Sequence, residues 1–438
     1  MATQKPSPDI RSSRLGKSEI DRNFSDLHPP LSRPEALIEA DRCYFCYDAP
    51  CITACPTGID IPGFIQKIRS DNIQGSAHTI LSENIMGGMC ARVCPTEVLC
   101  EEACVRNLHE DKPVEIGLLQ RYATDPIFEQ NNQLFERAAS TGKKVAVVGG
   151  GPAGLSCAHR LAVLGHDVVV FNRDSKPGGL NEYGIAAYKT INDFAQTEVD
   201  YILSIGGIEL RNNSPLASAA ELSDLCDEYD AVFLGVGLAL SNSLGIEGED
   251  MTGVLNAIEY IADLRQAEDK SKLPVGRNVV VIGGGMTAID VAVQSKRLGA
   301  EQVHLVYRRG PEQMSASVFE QTLARTSGVA IHHWASPERI LGGDHVTGVE
   351  FRVESSDDRL HLEADIVFKA IGQNMNGDGL ISIALESGRF VVDANQKTSM
   401  DKVWAGGDCV VGGDDLTVSA VQHGKIAAID IDRHLRKA

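Results

Sequence analysis

No run of apolar residues in this chain approaches the roughly 20 that a helix needs to cross a bilayer, so a membrane-spanning role is not expected. Positive charge is also scarce: 41 Lys and Arg stand against 60 Asp and Glu, a formal net charge of −19. Such a surface repels phosphate backbones and anionic lipid, which argues against nucleic acid and membrane as partners. Residues 1 to 30 are polar and rich in Ser, Pro and Arg, without the apolar stretch of a secretory signal, so the expected location is the reducing cytoplasm. Low-complexity tracts are missing, and the 12 histidines show no metal-ligand spacing.

Cysteine and glycine are what the chain has in unusual arrangement. At 438 residues it can bury full hydrophobic cores, so its 11 cysteines are not the staples of a small scaffold. Cys43, Cys46, Cys51, Cys55, Cys90, Cys94, Cys100 and Cys104 fall in one stretch, whereas Cys157, Cys226 and Cys409 are scattered singly. The 42 glycines exceed the average usage of about 7%, which suggests backbone lying close to something large.

Ser32-Arg33-Pro34-Glu35 has the pattern of a capping box opening a short helix, with a loose tail before it. Between the two cysteine groups, Ile61, Phe64, Ile65 and Ile68, then Ile73, Ala77, Ile80 and Leu81, recur at helical spacing, so the N-terminal region is expected to be all-helical. From residue 141 onward, β-branched runs alternate with glycine turns and amphipathic segments, the texture of a parallel sheet covered by helices.

The first glycine turn, Gly149-Gly150-Gly151-Pro152-Ala153-Gly154, lies between a predicted strand, 145–148, and a helical pattern. In that setting Gly149 makes the turn, Gly151 admits a pyrophosphate, Gly154 lets helix pack on strand, and the helix N-terminus draws the phosphates. The next strand, 167–171, ends in Asn172, where such sites more often place an acid against ribose hydroxyls; asparagine can still accept a hydrogen bond but carries no charge. The second turn, Gly283-Gly284-Gly285-Met286-Thr287-Ala288, follows the strand expected at 278–282. The strand after it, 303–307, ends in Arg308-Arg309, which can pair with a ribose 2′-phosphate, favouring NADP without excluding NAD.

With Lys176-Pro177-Gly178-Gly179-Leu180 and Val403-Trp404-Ala405-Gly406-Gly407-Asp408, the region from Lys143 onward resembles the two-dinucleotide flavoproteins. That resemblance implies FAD on an interrupted domain, 142–246 and 371–438, with Gly179, Leu180, Gly407 and Asp408 beside it, and a nicotinamide dinucleotide on an inserted domain, 247–370. Pro152 and Ala153 share the first site. The expected fold class is α/β with an N-terminal all-α iron-sulfur domain and two Rossmann-like domains.

The cysteine spacings, with two Cys-Pro endings, suit iron-sulfur ligation better than zinc, which stays open as an alternative. Asp41 through Cys51, Cys55-Pro56-Thr57, Cys94-Pro95-Thr96 and Ile116 through Thr124 resemble the N-terminal half of the dihydropyrimidine dehydrogenase family, and more distantly the glutamate synthase small subunit. The resemblance implies a two-cluster domain at 35–135 after a flexible tail at 1–34. It further implies one [4Fe-4S] cluster on Cys43, Cys46, Cys51 and Cys104, and another on Cys55, Cys94, Cys100 and the Gln120 amide. Spacing alone would give the last position to Cys90.

Together these cofactors make a two-to-one electron converter in which hydride passes between bound groups and no side-chain nucleophile is demanded. A thioredoxin-reductase-like activity would need a redox pair, and Cys157, Cys226 and Cys409 are far apart in sequence. The chain has no room for a pyrimidine-binding barrel, so the expectation is an NAD(P)H-oxidising subunit delivering electrons to a separate subunit with FMN, further clusters and the uracil or thymine site. The alternatives are a glutamate synthase input subunit or, in another class, a zinc-binding scaffold.

Overall fold

The computed structural model describes residues 7–216, 218–354, 358–375 and 383–437. They form two compact units. One holds the chain up to Leu27, Tyr183–Ile191 and Leu240–Asn374; the other holds His28–Glu182, Asn192–Ala239 and the chain from Met375 on.

In the second of these, strand Lys144–Val148 is the middle of a five-stranded parallel sheet ordered Val403–Ala405, Ala231–Leu234, Lys144–Val148, Asp167–Phe171, Ile208–Arg211. Its side chains alternate between faces, as the pleat requires. Val145 and Val147 pack on helices Pro152–Val163 and Thr417–Leu435, while Ala146 and Val148 pack with Leu222, Val232 and Leu234. Both faces are covered, which is why these strands are nearly continuous runs of apolar residues.

Before the sheet come the helices Arg33–Asp41, Ile61–Arg69, Ile73–Glu83, Gly87–Val93 and Ile116–Glu129. The stripes read from the sequence meet one another: Phe64, Ile65, Ile68, Ile80 and Leu81 join Leu119, Ala123 and Phe128 in one core. That core also takes in Leu155, Phe194, Tyr201 and Val421 from the flavoprotein-like part, and the Phe128 ring meets Phe194 and Tyr201 edge-on at 5.6 and 5.1 Å. Ser32 and Glu35 interact at the expected helix start, although here Glu35 accepts from both the Ser32 backbone and its hydroxyl.

The other unit is built on a second parallel sheet, ordered Val254–Asn256, Ile366–Ala370, Asn278–Gly283, Gln302–Val306, Ala330–His332. One face packs on helix Met286–Arg297; the other packs on a three-stranded antiparallel sheet, Ala335–Gly342, Val346–Val353 and Arg359–Glu363. The segment Tyr183–Ile191 is held here by Lys189, whose Nζ reaches Asp290 at 2.7 Å and Glu320 at 2.6 Å, all three buried. Removing one partner from such a buried set typically costs about 3–5 kcal/mol. Part of the expected loose tail is ordered: helix Lys17–Asn23 sets Ile20 and Phe24 into this unit's core, a one-turn apolar stripe hidden by polar neighbours in sequence. Residues 1–6 and 376–382, within the expected tail and second FAD segment, lie outside the described residues.

Candidate functional site: two thiol-lined cavities and two glycine cradles

The eight clustered thiols surround two cavities. Cys43, Cys46, Cys51 and Cys104 line the first, with Tyr44, Pro50 and Ile65. Cys55, Cys90, Cys94, Cys100 and Gln120 line the second, with Asn84, Thr96 and Val418. Short helices place them. Pro50–Ala54 begins at a proline, which suits a first helical turn, and sets Cys51 in its first turn and Cys55 at its end. Cys94 ends Gly87–Val93. Phe45, in the left-handed region at φ 51°, turns its N–H onto the Cys43 sulfur at 3.4 Å.

As bare thiols, Cys51, Cys94 and Cys100 resist ionisation. Burial pushes Cys51 up to about 12 and Cys94 and Cys100 well above the ordinary thiol value, with neighbouring thiols adding repulsion. A metal centre that withdraws charge would compensate this cost, since coordination requires thiolates. Zinc with sulfur ligands at about 2.3 Å needs its donors clustered tightly. Among the described residues no three His, Cys, Asp or Glu are arranged to hold a single ion. Thiols spread round a cavity suit a cluster, which is wider than one ion.

Gln120, buried, donates from Nε2 to the Gly87 carbonyl at 2.7 Å and lines the second cavity. Cys90 lines the same cavity, and burial raises its thiol strongly.

The first glycine turn sits at the carboxyl end of Lys144–Val148. Gly149 has φ 108°, and a Cβ on Gly154 would lie 1.9 Å from the Gly149 carbonyl oxygen, so helix and strand are in direct backbone contact there. A Cβ on Gly151 would meet nothing nearer than the Gly179 Cα at 3.7 Å, which leaves open backbone of the kind a pyrophosphate can approach. Asn172 is buried and its Nδ2 donates to the Asp174 and Lys176 carbonyls and to Asn212 Oδ1. Its remaining acceptor, Oδ1, lies against Gly150. Gly407, at φ 93°, donates its N–H to His423 Nδ1, and burial followed by repulsion from Asp415 lifts the Asp408 carboxyl to about 6. Leu180 and its buried neighbour Asn181 open the short helix Leu180–Tyr183. These residues fit an adenine dinucleotide: a turn with open backbone, a helix N-terminus and a half-buried acid.

The second turn repeats the construction. Gly283, at φ 151°, passes close to the Ala370 carbonyl, and Gly284 lies against the Tyr307 ring. Gly285 is bounded by Ser315 Oγ, and Met286, Thr287 and Ala288 form the first turn of helix Met286–Arg297. Arg308 and Arg309 are exposed beyond the end of Gln302–Val306.

Several residues at these sites escaped the sequence. Asn181 donates to Met86 Sδ at 3.7 Å and accepts from Thr417 Oγ1 at 2.7 Å, tying the flavin-type turn to the cysteine domain. Lys425 donates to the Thr57 carbonyl at 2.9 Å and pairs with Glu83 at 2.8 Å, bracing the strand of chain after Cys55. Glu198, fully buried, accepts from the Gly88 and Met89 N–H groups at 2.9 and 3.0 Å, at the start of the helix that carries Cys90. Each is an isolated polar residue whose partner is remote in the chain, and no local pattern marks it.

Burial pushes the Glu198 carboxyl up to about 8 despite those two donors and nearby Arg92. A carboxyl whose folded value exceeds its unfolded value contributes stability at low pH that is lost as pH rises through the folded value. The melting temperature is therefore expected to fall between about pH 5 and about pH 8 more steeply than in Glu198→Gln, which cannot ionise, and to level off above that range. Thermal melts of both proteins across that range check this; parallel curves would contradict it.

The pyridine nucleotide-disulphide oxidoreductase family model matches residues 143–424, and that of dihydropyrimidine dehydrogenase domain II, 4Fe-4S cluster, matches 20–132. The NAD-dependent dihydropyrimidine dehydrogenase subunit PreT of Escherichia coli K12 is 35% identical over 421 residues, covering 95% of this chain and 98% of that protein. The glutamate synthase [NADPH] small chain of the same organism is 36% identical over 439 residues, covering 92% of each. Among solved structures, thioredoxin reductase of T. acidophilum aligns with a TM-score of 0.55 at 20% identity, over 67% of this chain and 99% of that one, which speaks to fold alone.

Proposed function

The chain belongs to the pyridine nucleotide-disulphide oxidoreductase family, with a dihydropyrimidine dehydrogenase domain II at its N-terminal end, and from that premise we propose that it is the electron-input subunit of a dihydropyrimidine dehydrogenase. It is an oxidoreductase of FAD, NAD(P)H and [4Fe-4S] clusters, acting with a separate subunit that reduces uracil or thymine to the 5,6-dihydro form and carries FMN and further clusters. The bound groups supply conversion of a two-electron hydride into single electrons. The observation that carries this is that Cys43, Cys51, Cys55, Cys100 and Cys104, which line the two cavities, pack into the same core as Leu155, directly after the first glycine turn.

The protein's own part is to hold and to position. Cys43, Cys46, Cys51 and Cys104 are assigned to one cluster, and Cys55, Cys94, Cys100 and Gln120 to the other. Gly149 to Gly154 and the N-terminus of Pro152–Val163 cradle a pyrophosphate, with Gly179, Leu180, Gly407 and Asp408 around the flavin and Asn172 Oδ1 facing the ribose. Gly283 to Ala288 do the same for the nicotinamide coenzyme. The helical domain at 35–135, the FAD domain at 142–246 and 371–438 and the nicotinamide domain at 247–370 are the proposed divisions. Arg308 and Arg309 favour a 2′-phosphate, whereas the PreT relative is named for NAD, so both coenzymes belong in the assay.

The test is turnover with and without a partner. The chain alone is expected to reduce artificial acceptors with NADH or NADPH and to leave uracil untouched; with a pyrimidine-reducing subunit added, uracil should be consumed. Uracil turnover by the chain alone would overturn the proposal. So would failure with that subunit alongside glutamate formation with a glutamine-hydrolysing large chain, the outcome that the glutamate synthase likeness would favour.

A further inference from the structure

Tryptophan occurs twice in the chain. Trp404 is wholly buried, whereas Trp334 is 49% exposed and holds a backbone φ of 55°. A large aromatic residue in the left-handed region is an outlier, and such strain persists where surrounding structure imposes it, most often at functional sites. Here the backbone is held at both ends: Trp334 N–H donates to the Arg309 carbonyl at 3.2 Å, and its own carbonyl accepts from Glu354 N–H at 2.8 Å.

The position is informative. Trp334 lies just beyond the carboxyl end of strand Ala330–His332. Its parallel neighbour Gln302–Val306 ends beside Arg308-Arg309, and the next, Asn278–Gly283, ends in the glycine turn. Ligands of open parallel sheets bind outside the carboxyl ends of the strands. The indole reaches back over the turn after the arginines: a Cβ on Gly310 would come within 3.1 Å of Trp334 Cζ2. Going outward from the glycine turn, the site thus presents two guanidinium groups, then a half-exposed indole.

We propose that Trp334 is the wall against which the adenine ring of the nicotinamide coenzyme stacks, a binding residue that sets affinity for the adenosine half whichever coenzyme is used. This rests on the assignment of Gly283 to Ala288 and Arg308-Arg309 to a nicotinamide dinucleotide. Stacking accounts for the exposure of the ring, and the enforced backbone accounts for its orientation beside the phosphate-reading arginines. Burying one base face on an aromatic side chain contributes without regard to the ribose substituent.

Calorimetry of the full-length, cofactor-loaded chain with ADP and with 2′,5′-ADP tests this, since neither probe carries a nicotinamide or undergoes redox chemistry. Trp334→Gly is the informative variant because glycine accepts a left-handed backbone freely. Its melting temperature should stay within about 2 °C of wild type, strain relief offsetting the added freedom of the unfolded chain. Its affinity should fall about tenfold for both probes equally. Trp334→Phe should keep most of the affinity. Trp334→Asn, which also tolerates this backbone, replaces the glycine variant if that one fails to fold. Unchanged binding in the glycine variant overturns the proposal while the coenzyme assignment stands. Loss confined to 2′,5′-ADP overturns it too, because that pattern means the ring only positions Arg309. A wild-type chain that binds neither probe removes the coenzyme assignment and the proposal with it.

Discussion

Cys51→Ala is expected to purify with about half the wild-type iron and sulfide, to keep its flavin, and to deliver electrons to a partner subunit at least about 100-fold more slowly. Cys51 lines the first cavity together with Cys43, Cys46 and Cys104, and alanine leaves that cavity one donor short. The flavin-type turn lies in another part of the same unit and keeps its own contacts, so reduction of ferricyanide by NAD(P)H should survive within a few-fold. The second cavity supplies the sharper comparison. Gln120→Leu should lose the second cluster, whereas Cys90→Ala should retain all its iron. Cys90 and Gln120 both line that cavity, and the Gln120 amide is oriented by the Gly87 carbonyl. Iron and sulfide analysis of both variants decides between them; iron lost from Cys90→Ala and kept in Gln120→Leu would reverse the assignment.

The second large effect separates folding from binding within one glycine turn. Gly154→Ala would place a methyl 1.9 Å from the Gly149 carbonyl oxygen and 3.1 Å from Val147 Cγ1, the latter fully buried. Backbone has to move, at a cost of about 3 kcal/mol or more. The variant is expected to be poorly folded and free of flavin. Gly151→Ala meets nothing closer than 3.7 Å, so it should fold and melt near wild type. Its added methyl points into the open space assigned to pyrophosphate, so flavin occupancy should drop nonetheless. Flavin content and thermal melts of the pair check the division of labour. A Gly151→Ala protein that keeps full flavin would contradict it.

Much of this was legible because the sequence writes local rules plainly. Two strand-turn-helix units announce themselves through valine runs followed by three glycines, and strands 144–148 and 278–283 follow those runs closely. The helical stripes around Phe64 and Ile80 were equally clear, as was the helix opened near Ser32. What escaped was of another kind. The antiparallel sheet from Ala335 to Glu363 is interrupted by register shifts at Pro337 and Leu341, which blur its alternation. Helix Lys17–Asn23 has a single buried residue, Ile20, too little for a period to show. Glu198, Lys425 and Asn181 act through partners at Gly88, Glu83 and Met86, more than 90 positions away in each case, and only the folded chain brings them together. The membership of the second cavity is a problem of the same type: spacing favours Cys90, but Gln120 reaches the cavity from a different helix.

The central claim is that clusters held by the N-terminal thiols are in electronic contact with a nicotinamide-reduced flavin inside one polypeptide. Anaerobic titration of the purified chain with NADH or NADPH, followed by visible absorption and electron paramagnetic resonance, examines it directly. The expected sample is brown, with about eight iron and eight sulfide per flavin, and coenzyme alone bleaches the flavin and brings up a paramagnetic iron-sulfur signal. A yellow sample without sulfide, or clusters that stay silent while the flavin is fully reduced, would contradict the account.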